Sequence, residues 1–181
     1  IGRRFGVDPV MARILRNREV TGEAEIEAYL HGTLKDLHSP HLMKDMDKAV
    51  ELITRKIAEG KKLRIIGDYD IDGVNATYIL LKALQKCGAC VDYAIPNRIT
   101  DGYGINKNLI ERAVEAGVDT VLTCDNGIAA IEEIAYAKAK GMTVIVTDHH
   151  DIPFEERDGE KHYKKSMADA VINPKQQECT Y

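Results

Sequence analysis

The chain has 181 residues, of which 44% are hydrophobic and 30% are charged, and its formal net charge is −4. This length and composition predict a globular chain with room for one domain and a small appendage. No apolar run approaches the roughly 18 to 20 residues that cross a bilayer, and the N-terminus lacks the apolar stretch of a signal peptide, so we expect a cytoplasmic protein without a membrane partner. The mild acidity excludes the strongly basic character of a non-specific nucleic-acid coat, although a local basic groove is compatible with it.

The first part of the chain shows helical patterns. Apolar spacing predicts three early helices, at Pro9–Asn17, Glu23–Leu30 and Asp47–Glu59. Thr21 is the predicted N-cap of the second helix, and Gly32 follows its end. We interpret residues 1–40 as a helical lead-in and residues 41–181 as the main domain.

After residue 60, short apolar runs alternate with helical patterns. The predicted strands are Leu63–Ile66, Val91–Ile95, Thr120–Leu122 and Thr143–Val146. The predicted helices are Asn75–Lys86, Lys107–Ala116 and Ile128–Lys140. Parallel strands joined by helical crossovers are covered on both faces, which suits these nearly uninterrupted apolar strands. The sequence therefore predicts an α/β fold, a mostly parallel sheet with helices on both faces.

The last part of the chain is less regular. The charged stretch over residues 154–165 is predicted to be a solvated excursion, after which residues 168–171 return to apolar character. The chain begins with Ile and ends soon afterwards. We expect a piece of a longer protein whose main domain is truncated at its C-terminal end.

Acidic and histidine residues follow three of the four predicted strands. These residues are Asp68, Asp70 and Asp72, then Asp125, and then Asp148, His149 and His150. Loops at the carboxyl ends of parallel strands converge, so we expect these side chains to lie close together. Crowded carboxylates repel and raise each other's pKa values unless a cation neutralises them. Oxygen-rich sites with one or two imidazoles favour Mn²⁺ or Mg²⁺, bound as one ion or a pair.

Each motif alone has a simpler interpretation. The segment over residues 67–73 could be a hydrogen-bonded turn, residues 125–127 an ordinary turn before a helix, and the two histidines exposed surface residues. These interpretations would require three coincidences at strand ends on one side of the sheet. A dinucleotide site in the first loop is disfavoured, because its three aspartates would repel a phosphate.

Together, these motifs resemble those of the DHH phosphoesterase superfamily. The matching segments are GDYDIDG at residues 67–73, DNG at 125–127 and DHH at 148–150. Further similar segments are IPNR at 95–98, DGYGIN at 101–106 and VINPK at 171–175, and the resemblance covers residues 40–181. Relatives that cleave pyrophosphate or small nucleotides typically begin their first motif with a histidine. The aspartate at this place favours the branch that degrades single-stranded DNA.

The resemblance implies a hydrolase with two Mn²⁺ or Mg²⁺ ions, a 5′ to 3′ exonuclease on single-stranded DNA in repair and recombination. Asp70 and Asp72 would each face one ion, and Asp125 would bridge both. Asp68 would be a ligand or a supporting residue. Two ions can activate a water and neutralise charge on the phosphoryl oxygens without a covalent intermediate.

The histidine motif would supply a further metal ligand and the catalytic groups. His149 would be a direct metal ligand. His150 would reach the scissile phosphate, with Asp148 orienting the histidines.

Three residues near the GYG turn are candidates for nucleic-acid binding. Arg98 and Lys107 could meet backbone phosphates, and Tyr103 could stack on a base. A surface salt bridge for Arg98 and a packed turn aromatic for Tyr103 remain alternatives.

The resemblance also implies a further aspartate ligand and a substrate-binding domain downstream of residue 181. We therefore expect this chain alone to be weakly active or inactive. Two other functions stay open: a phosphoesterase on short oligonucleotides or small phosphate esters, and a non-catalytic nucleic-acid-binding module. Helicase or single-strand-binding protein partners are compatible with the resemblance, but no residue of this chain identifies them.

Overall fold

The computed structural model describes residues 2–181, which include two compact units, one ending at Ser39 and the other spanning Pro40–Tyr181. The first unit is helical. Its elements are α1 (Gly2–Phe5), α2 (Pro9–Asn17), α3 (Glu23–His31) and a 3₁₀ turn at Leu34–Asp36. Helix α2 has its predicted bounds and α3 ends one residue later than predicted, whereas α1 was not predicted.

Side-chain caps begin two of these helices. The Asp8 carboxylate accepts hydrogen bonds from two backbone N–H groups in the first turn of α2, at 2.7 and 3.0 Å. The predicted cap of α3 was wrong, because Gly22 and not Thr21 is its N-cap. Glu25 accepts a hydrogen bond from the Gly22 N–H at 3.0 Å, so a glutamate in the first turn replaces the expected hydroxyl.

The second unit contains the alternating part of the chain. After a 3₁₀ turn at Pro40–Leu42, its helices are α4 (Met46–Ala58), α5 (Ile71–Lys86), α6 (Lys107–Glu115) and α7 (Ile131–Ala139). Its strands are β1 (Lys62–Ile66), β2 (Cys90–Ala94), β3 (Thr120–Cys124), β4 (Thr143–Thr147), β5 (Phe154–Arg157), β6 (Glu160–Tyr163) and β7 (Ala170–Ile172).

Five of these strands form one sheet in the order β2-β1-β3-β4-β7, and all four neighbouring pairs are parallel. Helices α5, α6 and α7 connect successive strands. The predicted α/β fold class is confirmed. The carboxyl ends of β1, β3 and β4 are direct neighbours, which brings the three predicted site loops to one edge of the sheet.

Both faces of the sheet bury apolar side chains. Leu63, Ile65 and Leu122 belong to a core cluster with residues of α4 and α5. Ile66 and Val121 point the other way and belong to a cluster with residues of α6 and α7. The alternation follows from the two-residue period of a strand. All five residues of β3 are buried, as expected for a central parallel strand.

Two helix starts differ from the predictions. Helix α5 begins four residues earlier than predicted, because the Asp70 side chain accepts a hydrogen bond from the Gly73 N–H at 2.9 Å and caps it. Helix α7 begins three residues later, after a turn in which the Ala130 N–H donates to the Gly127 carbonyl. A side-chain cap thus sets the start of α5, and a preceding turn sets the start of α7.

The charged segment before β7 is exposed, as predicted, but it is not irregular. β5 and β6 form an antiparallel hairpin whose residues are all exposed. Its two-residue turn, Asp158-Gly159, has positive φ at both positions, 55° and 80°. An Asp-Gly pair favours this tight turn, so the sequence did contain an indication of the hairpin.

Within residues 2–181, no helix combines the length and apolar character required to cross a membrane.

Candidate metal centre

The first loop of the site joins β1 to α5 and places two carboxylates differently. Asp68 is fully buried, whereas Asp70 is exposed and caps α5. The loop and the helix approach closely at Gly73, where an added Cβ would lie 2.6 Å from the Asp68 carbonyl oxygen. A glycine at this position therefore allows Asp68 to pack directly under the start of α5.

The second loop follows β3 and contains the most constrained backbone of the site. Asp125 has a left-handed φ of 63°, and its N–H donates to the Thr147 carbonyl at 3.1 Å. The Asn126 side chain is 1% exposed and braces the loop. Its amide group donates to the carbonyls of Ile66 and Cys124, and its oxygen accepts from the Ile105 N–H. Asn126 thus fixes the ends of two strands relative to each other.

The third loop follows β4 and is organised around Asp148. The Asp148 Oδ1 atom accepts hydrogen bonds from the N–H groups of His149 and His150, and lies 2.7 Å from Nδ1 of His150. Its Oδ2 atom accepts from the Ile128 N–H at 2.8 Å. The contact with Asp148 raises the pKa of His150. Asp148 therefore holds both the loop backbone and the His150 ring.

Asn173, which follows β7, supports the loop that contains His150. Asn173 is fully buried, and its side-chain amide donates to the His150 carbonyl at 3.0 Å. Its side-chain oxygen accepts from the Lys175 N–H at 2.8 Å. The Lys175 ammonium in turn lies 2.8 Å from Asp151. This supporting role for Asn173 was missed in the sequence, because it depends on the parallel pairing of β4 with β7.

The three loops bring metal-type ligand atoms together in two overlapping groups. One group is Asp68, Asp70 and Asp125, and the other is Asp125, His149 and His150. Within each group, the ligand atoms lie within 4.8 Å of one another. Asp125 belongs to both groups. The structure therefore brings five of the predicted site residues together, each close enough to the others of its group to bind a common metal ion.

Asp72 lies apart from these two groups in the part of the chain that the structure describes. It is exposed in the first turn of α5 and borders a cavity of about 690 Å³ that Asp125 and His149 also border. The apolar remainder of that cavity comes from α4, α5 and the sheet.

Two carboxylates of the site are costly to ionise when no cation is bound. Burial raises the pKa of Asp68, and the neighbouring Asp70 carboxylate adds to the increase. Burial and Asp70 likewise raise the pKa of Asp125, although the two histidines oppose the change. Both side-chain oxygens of Asp68 lack a hydrogen-bond partner within residues 2–181. Buried carboxylates without partners are costly, and a bound cation relieves that cost.

Aromatic rings line the rim of the site next to His150. The Tyr103 hydroxyl donates to the Asp125 carbonyl at 3.1 Å and lies 3.4 Å from Nε2 of His150. The Tyr103 ring packs edge-on against His150 and Tyr69, with centroids 6.1 and 6.2 Å apart. Burial and the nearby aspartates raise the pKa of Tyr103 to about 12. The Arg98 guanidinium lies over the Tyr69 ring, 5.2 Å from its centroid.

The predicted nucleic-acid contacts are therefore only partly grouped. Arg98 and Tyr103 are linked through Tyr69, which sequence reasoning did not single out. The Lys107 ammonium instead lies 5.8 Å from the centroid of the Tyr136 ring on α7. The structure thus orients Lys107 toward α7 and away from the Arg98–Tyr69–Tyr103 group.

Residues 62–180 match the family model described as "DHH family, N-terminal domain". The match covers well over half of the chain, and it includes all three site loops. This chain belongs to the DHH family, and the resemblance inferred from the motifs is confirmed.

The similar curated proteins are named as single-stranded-DNA-specific exonucleases RecJ. The protein from Bacillus subtilis (strain 168) is 37% identical over 175 residues, covering 97% of this chain and 21% of its own length. The protein from Haemophilus influenzae is 34% identical over 182 residues, covering 100% of this chain and 29% of its own length. The chain therefore spans between a fifth and three tenths of the length of these relatives.

Solved structures give the same relationship at the level of the fold. A manganese-bound exonuclease RecJ aligns with a TM-score of 0.64 at 31% identity, covering 78% of this chain and 34% of the solved one. RecJ from Thermus thermophilus in complex with Mn²⁺ aligns with a TM-score of 0.61 at 27% identity, covering 88% of this chain and 22% of the solved one.

Proposed function

We propose that this chain forms the metal-binding part of a RecJ-like exonuclease that hydrolyses single-stranded DNA in repair and recombination. The observation that supports this proposal best is the convergence of carboxylates and imidazoles from three neighbouring strand ends around the buried, unpartnered Asp68. The names of the curated relatives supply the substrate class. The 5′ to 3′ polarity rests on the family resemblance alone.

The donor set fits divalent cations that prefer oxygen and imidazole ligands. Neither ligand group includes a thiolate, since the Cys124 thiol lies 3.3 Å from the Thr77 hydroxyl instead. Carboxylates with one or two imidazoles suit Mn²⁺ or Mg²⁺. Two of the similar solved structures are described as manganese-bound. When bound, two such ions would neutralise the carboxylates and supply Lewis-acid activation for phosphodiester hydrolysis.

The overlap of the two ligand groups supports a specific division of roles. Asp125 would bridge the ions because it belongs to both groups. Asp68 and Asp70 would serve one ion, and His149 the other. The exposed carboxylate of Asp72 would complete the coordination of the second ion, because Asp72 borders the same cavity as Asp125 and His149.

Residues around His150 would handle the phosphate. His150 is 49% exposed in its side chain and is held by Asp148, so its ring can donate a hydrogen bond to a phosphate oxygen while keeping its orientation. Arg98, Tyr69 and Tyr103 would contact the strand beside it through charge and stacking. Lys107 would act farther out, if it leaves the Tyr136 ring.

The decisive experiment uses single-stranded oligonucleotides labelled at either end, incubated with Mn²⁺ and an excess of this chain. Because the chain spans only 21 to 29% of the length of these relatives, we expect slow nucleotide release, and we expect it to stop in EDTA and in the Asp125→Asn variant. The Glu115→Gln variant, altered at an exposed position at the end of α6, should match the unaltered chain. Release of the 5′ label first would support the polarity.

The same experiment tests the alternatives. Hydrolysis restricted to dinucleotides would favour a phosphoesterase on short substrates. Binding of the strand with neither hydrolysis nor binding of Mn²⁺ would favour a non-catalytic module. Hydrolysis that persists in Asp125→Asn would contradict the proposed site.

A further inference from the structure

A cleft rich in lysine lies beside the exposed hairpin and outside the candidate metal centre. Its volume is about 510 Å³, and basic residues from two parts of the chain border it. They are Lys44, Lys161, His162, Lys164 and Lys165. Asp45 also borders the cleft, but its carboxylate accepts a hydrogen bond from the Val171 N–H at 3.0 Å. The cleft therefore combines four lysines with one carboxylate that already has a partner.

Two of the lysines are available to a new anion. Lys44 lies 3.3 Å from Glu178, and Lys164 lies 3.2 Å from Glu155. The Lys161 ammonium instead lies over the face of the Phe154 ring, 4.3 Å from its centroid. Neither Lys161 nor Lys165 forms an ion pair with a carboxylate of residues 2–181. Lys161 and Lys165 are both exposed.

The hairpin holds these lysines at the cleft. Phe154 and Tyr163 are partners across the two strands, with ring centroids 5.8 Å apart. The Lys164 N–H donates to the Pro153 carbonyl at 2.8 Å, which closes the base of the hairpin. Cross-strand aromatic pairs and the tight turn fix the register of a short hairpin. Backbone pairing therefore positions Lys161 opposite Glu156, and Lys165 follows two residues after the end of β6.

The cleft adjoins the cavity at His150. Ile128 borders the lysine cleft, and it also borders the cavity that contains Tyr103, Asp148 and His150. The backbone N–H of Ile128 is itself bound to the Asp148 carboxylate. The two cavities therefore share one lining residue, which places the lysine cleft next to the cavity at His150.

We infer that this cleft binds backbone phosphates of the single-stranded nucleic acid next to the phosphodiester at His150, with Lys161 and Lys165 as the principal contacts. The inference rests on the proposed function, because it takes the substrate from there. It adds a binding site on the hairpin for the part of the strand that is not being cut. A repeating anion suits this cleft better than a single small one, because four lysines from two parts of the chain border it.

The test compares two double variants of this chain with the same change in charge. Lys161→Gln with Lys165→Gln alters the cleft, and Lys61→Gln with Lys86→Gln alters exposed positions next to β1 and at the end of α5. Binding of a labelled oligothymidylate is measured by fluorescence anisotropy in EDTA over a range of salt concentrations. Thermal melting confirms that both variants fold.

We expect the cleft variant to bind several-fold more weakly and to lower the slope of log affinity against log salt by about 1.4, which is about 0.7 for each of two lost phosphate contacts. The control variant should keep most of the affinity. Equal slopes and affinities in the two variants would overturn the inference. Unchanged DNA binding with weaker binding of a polyglutamate peptide would also overturn it, and would assign the cleft to an acidic protein.

A hydrolysis measurement separates this inference from the proposed function. A thymidine dinucleotide has a single phosphodiester, which the metal centre would take, so its hydrolysis in Mn²⁺ should be the same in the cleft variant and the unaltered chain. If the chain neither binds Mn²⁺ nor hydrolyses DNA, but the cleft variant binds DNA more weakly than the unaltered chain, the proposed function fails and the cleft assignment stands. If hydrolysis occurs and the lysines do not affect binding, the cleft assignment alone fails.

Discussion

The Nε2 atom of His149 lies 3.0 Å from Oδ1 of Asp125, so an imidazole from the end of β4 meets a carboxylate from the end of β3. The Asp125 side chain is 8% exposed, whereas that of His149 is 61% exposed. An ion at this point would replace the direct contact and take one ligand from each strand. The buried partner is the fixed one, and the exposed imidazole can adjust to the ion.

The Asp125→Asn variant should bind Mn²⁺ at least about tenfold more weakly, a difference of about 1.4 kcal/mol. The substitution keeps the shape of the side chain but removes the charge shared by both ligand groups. Isothermal titration calorimetry measures the change. The Glu115→Gln variant is the matched control, and equal affinity in the two variants would contradict the bridging role of Asp125.

The Asp68→Asn variant should be more stable than the unaltered chain in EDTA, by about 1–3 kcal/mol, because a buried carboxylate without a partner is replaced by an uncharged group. In Mn²⁺ the unaltered chain should be the more stable of the two, since metal binding stabilises the variant less. Urea unfolding in both conditions measures this. The control is Asp47→Asn, which removes an exposed ion pair with His41 and should change the stability little in EDTA or in Mn²⁺. A loss of stability for Asp68→Asn in EDTA would contradict the explanation.

The Asn126→Ala variant should lose about 2–3 kcal/mol of unfolding free energy, because it leaves buried carbonyls of Ile66 and Cys124 without this donor. Urea unfolding measures the loss. Asn75→Ala is the matched control, since its side chain is exposed and donates one hydrogen bond within α5. Similar losses in the two variants would show that Asn126 does not brace the strand ends.

The Arg64–Asp92 pair between β1 and β2 should make stability depend on pH. Burial of Asp92 opposes ionisation, but hydrogen bonds from Arg64 at 2.6 and 2.7 Å outweigh it, and the pKa of Asp92 is lowered. The stabilisation is therefore present above the unfolded pKa of about 3.9 and is lost as the pH falls toward the lower folded pKa.

The Asp92→Asn variant should thus lose about 1 kcal/mol at pH 7, a modest value because Asp92 is 36% exposed, and the difference from the unaltered chain should shrink by pH 3. Urea unfolding at the two pH values measures it. Arg64→Gln should cause a smaller loss in the Asp92→Asn background than in the unaltered chain, and a hydrogen bond from Arg64 to the Arg112 carbonyl contributes to the loss in both. A difference that is the same at both pH values would contradict the role of the ion pair.

Much of the fold follows from local pattern. Four apolar runs separated by helical spacing predict the order of strands and helices, since parallel strands of this kind require crossovers. β7 and the hairpin are less evident, because three apolar residues and an exposed charged segment have weak periodicity. The start of α5 depends on the Asp70 cap, which apolar spacing does not report.

The sequence predicted which residues form the site, but not how they divide into the two ligand groups. Residues at the ends of neighbouring parallel strands must converge, which holds for Asp68, Asp125 and His149. Asp70 and Asp72 look equivalent in sequence, but Asp70 is the N-cap of α5 with an extended backbone, whereas Asp72 lies within the first turn of the helix. Asn126 as a brace and Tyr69 as a stacking partner follow only from three-dimensional contacts.

The left-handed backbone at Asp125 lowers the stability of the fold, whereas the carboxylate at the same residue serves metal binding. Glycine adopts a φ of 63° without strain, whereas a residue with a Cβ loses about 1 kcal/mol there. Selection for stability alone would therefore replace this aspartate by glycine, and only the use of the carboxylate opposes that change. Among related chains, the residue at this position should report whether the centre is still in use, and glycine should appear there early in copies that have lost the activity.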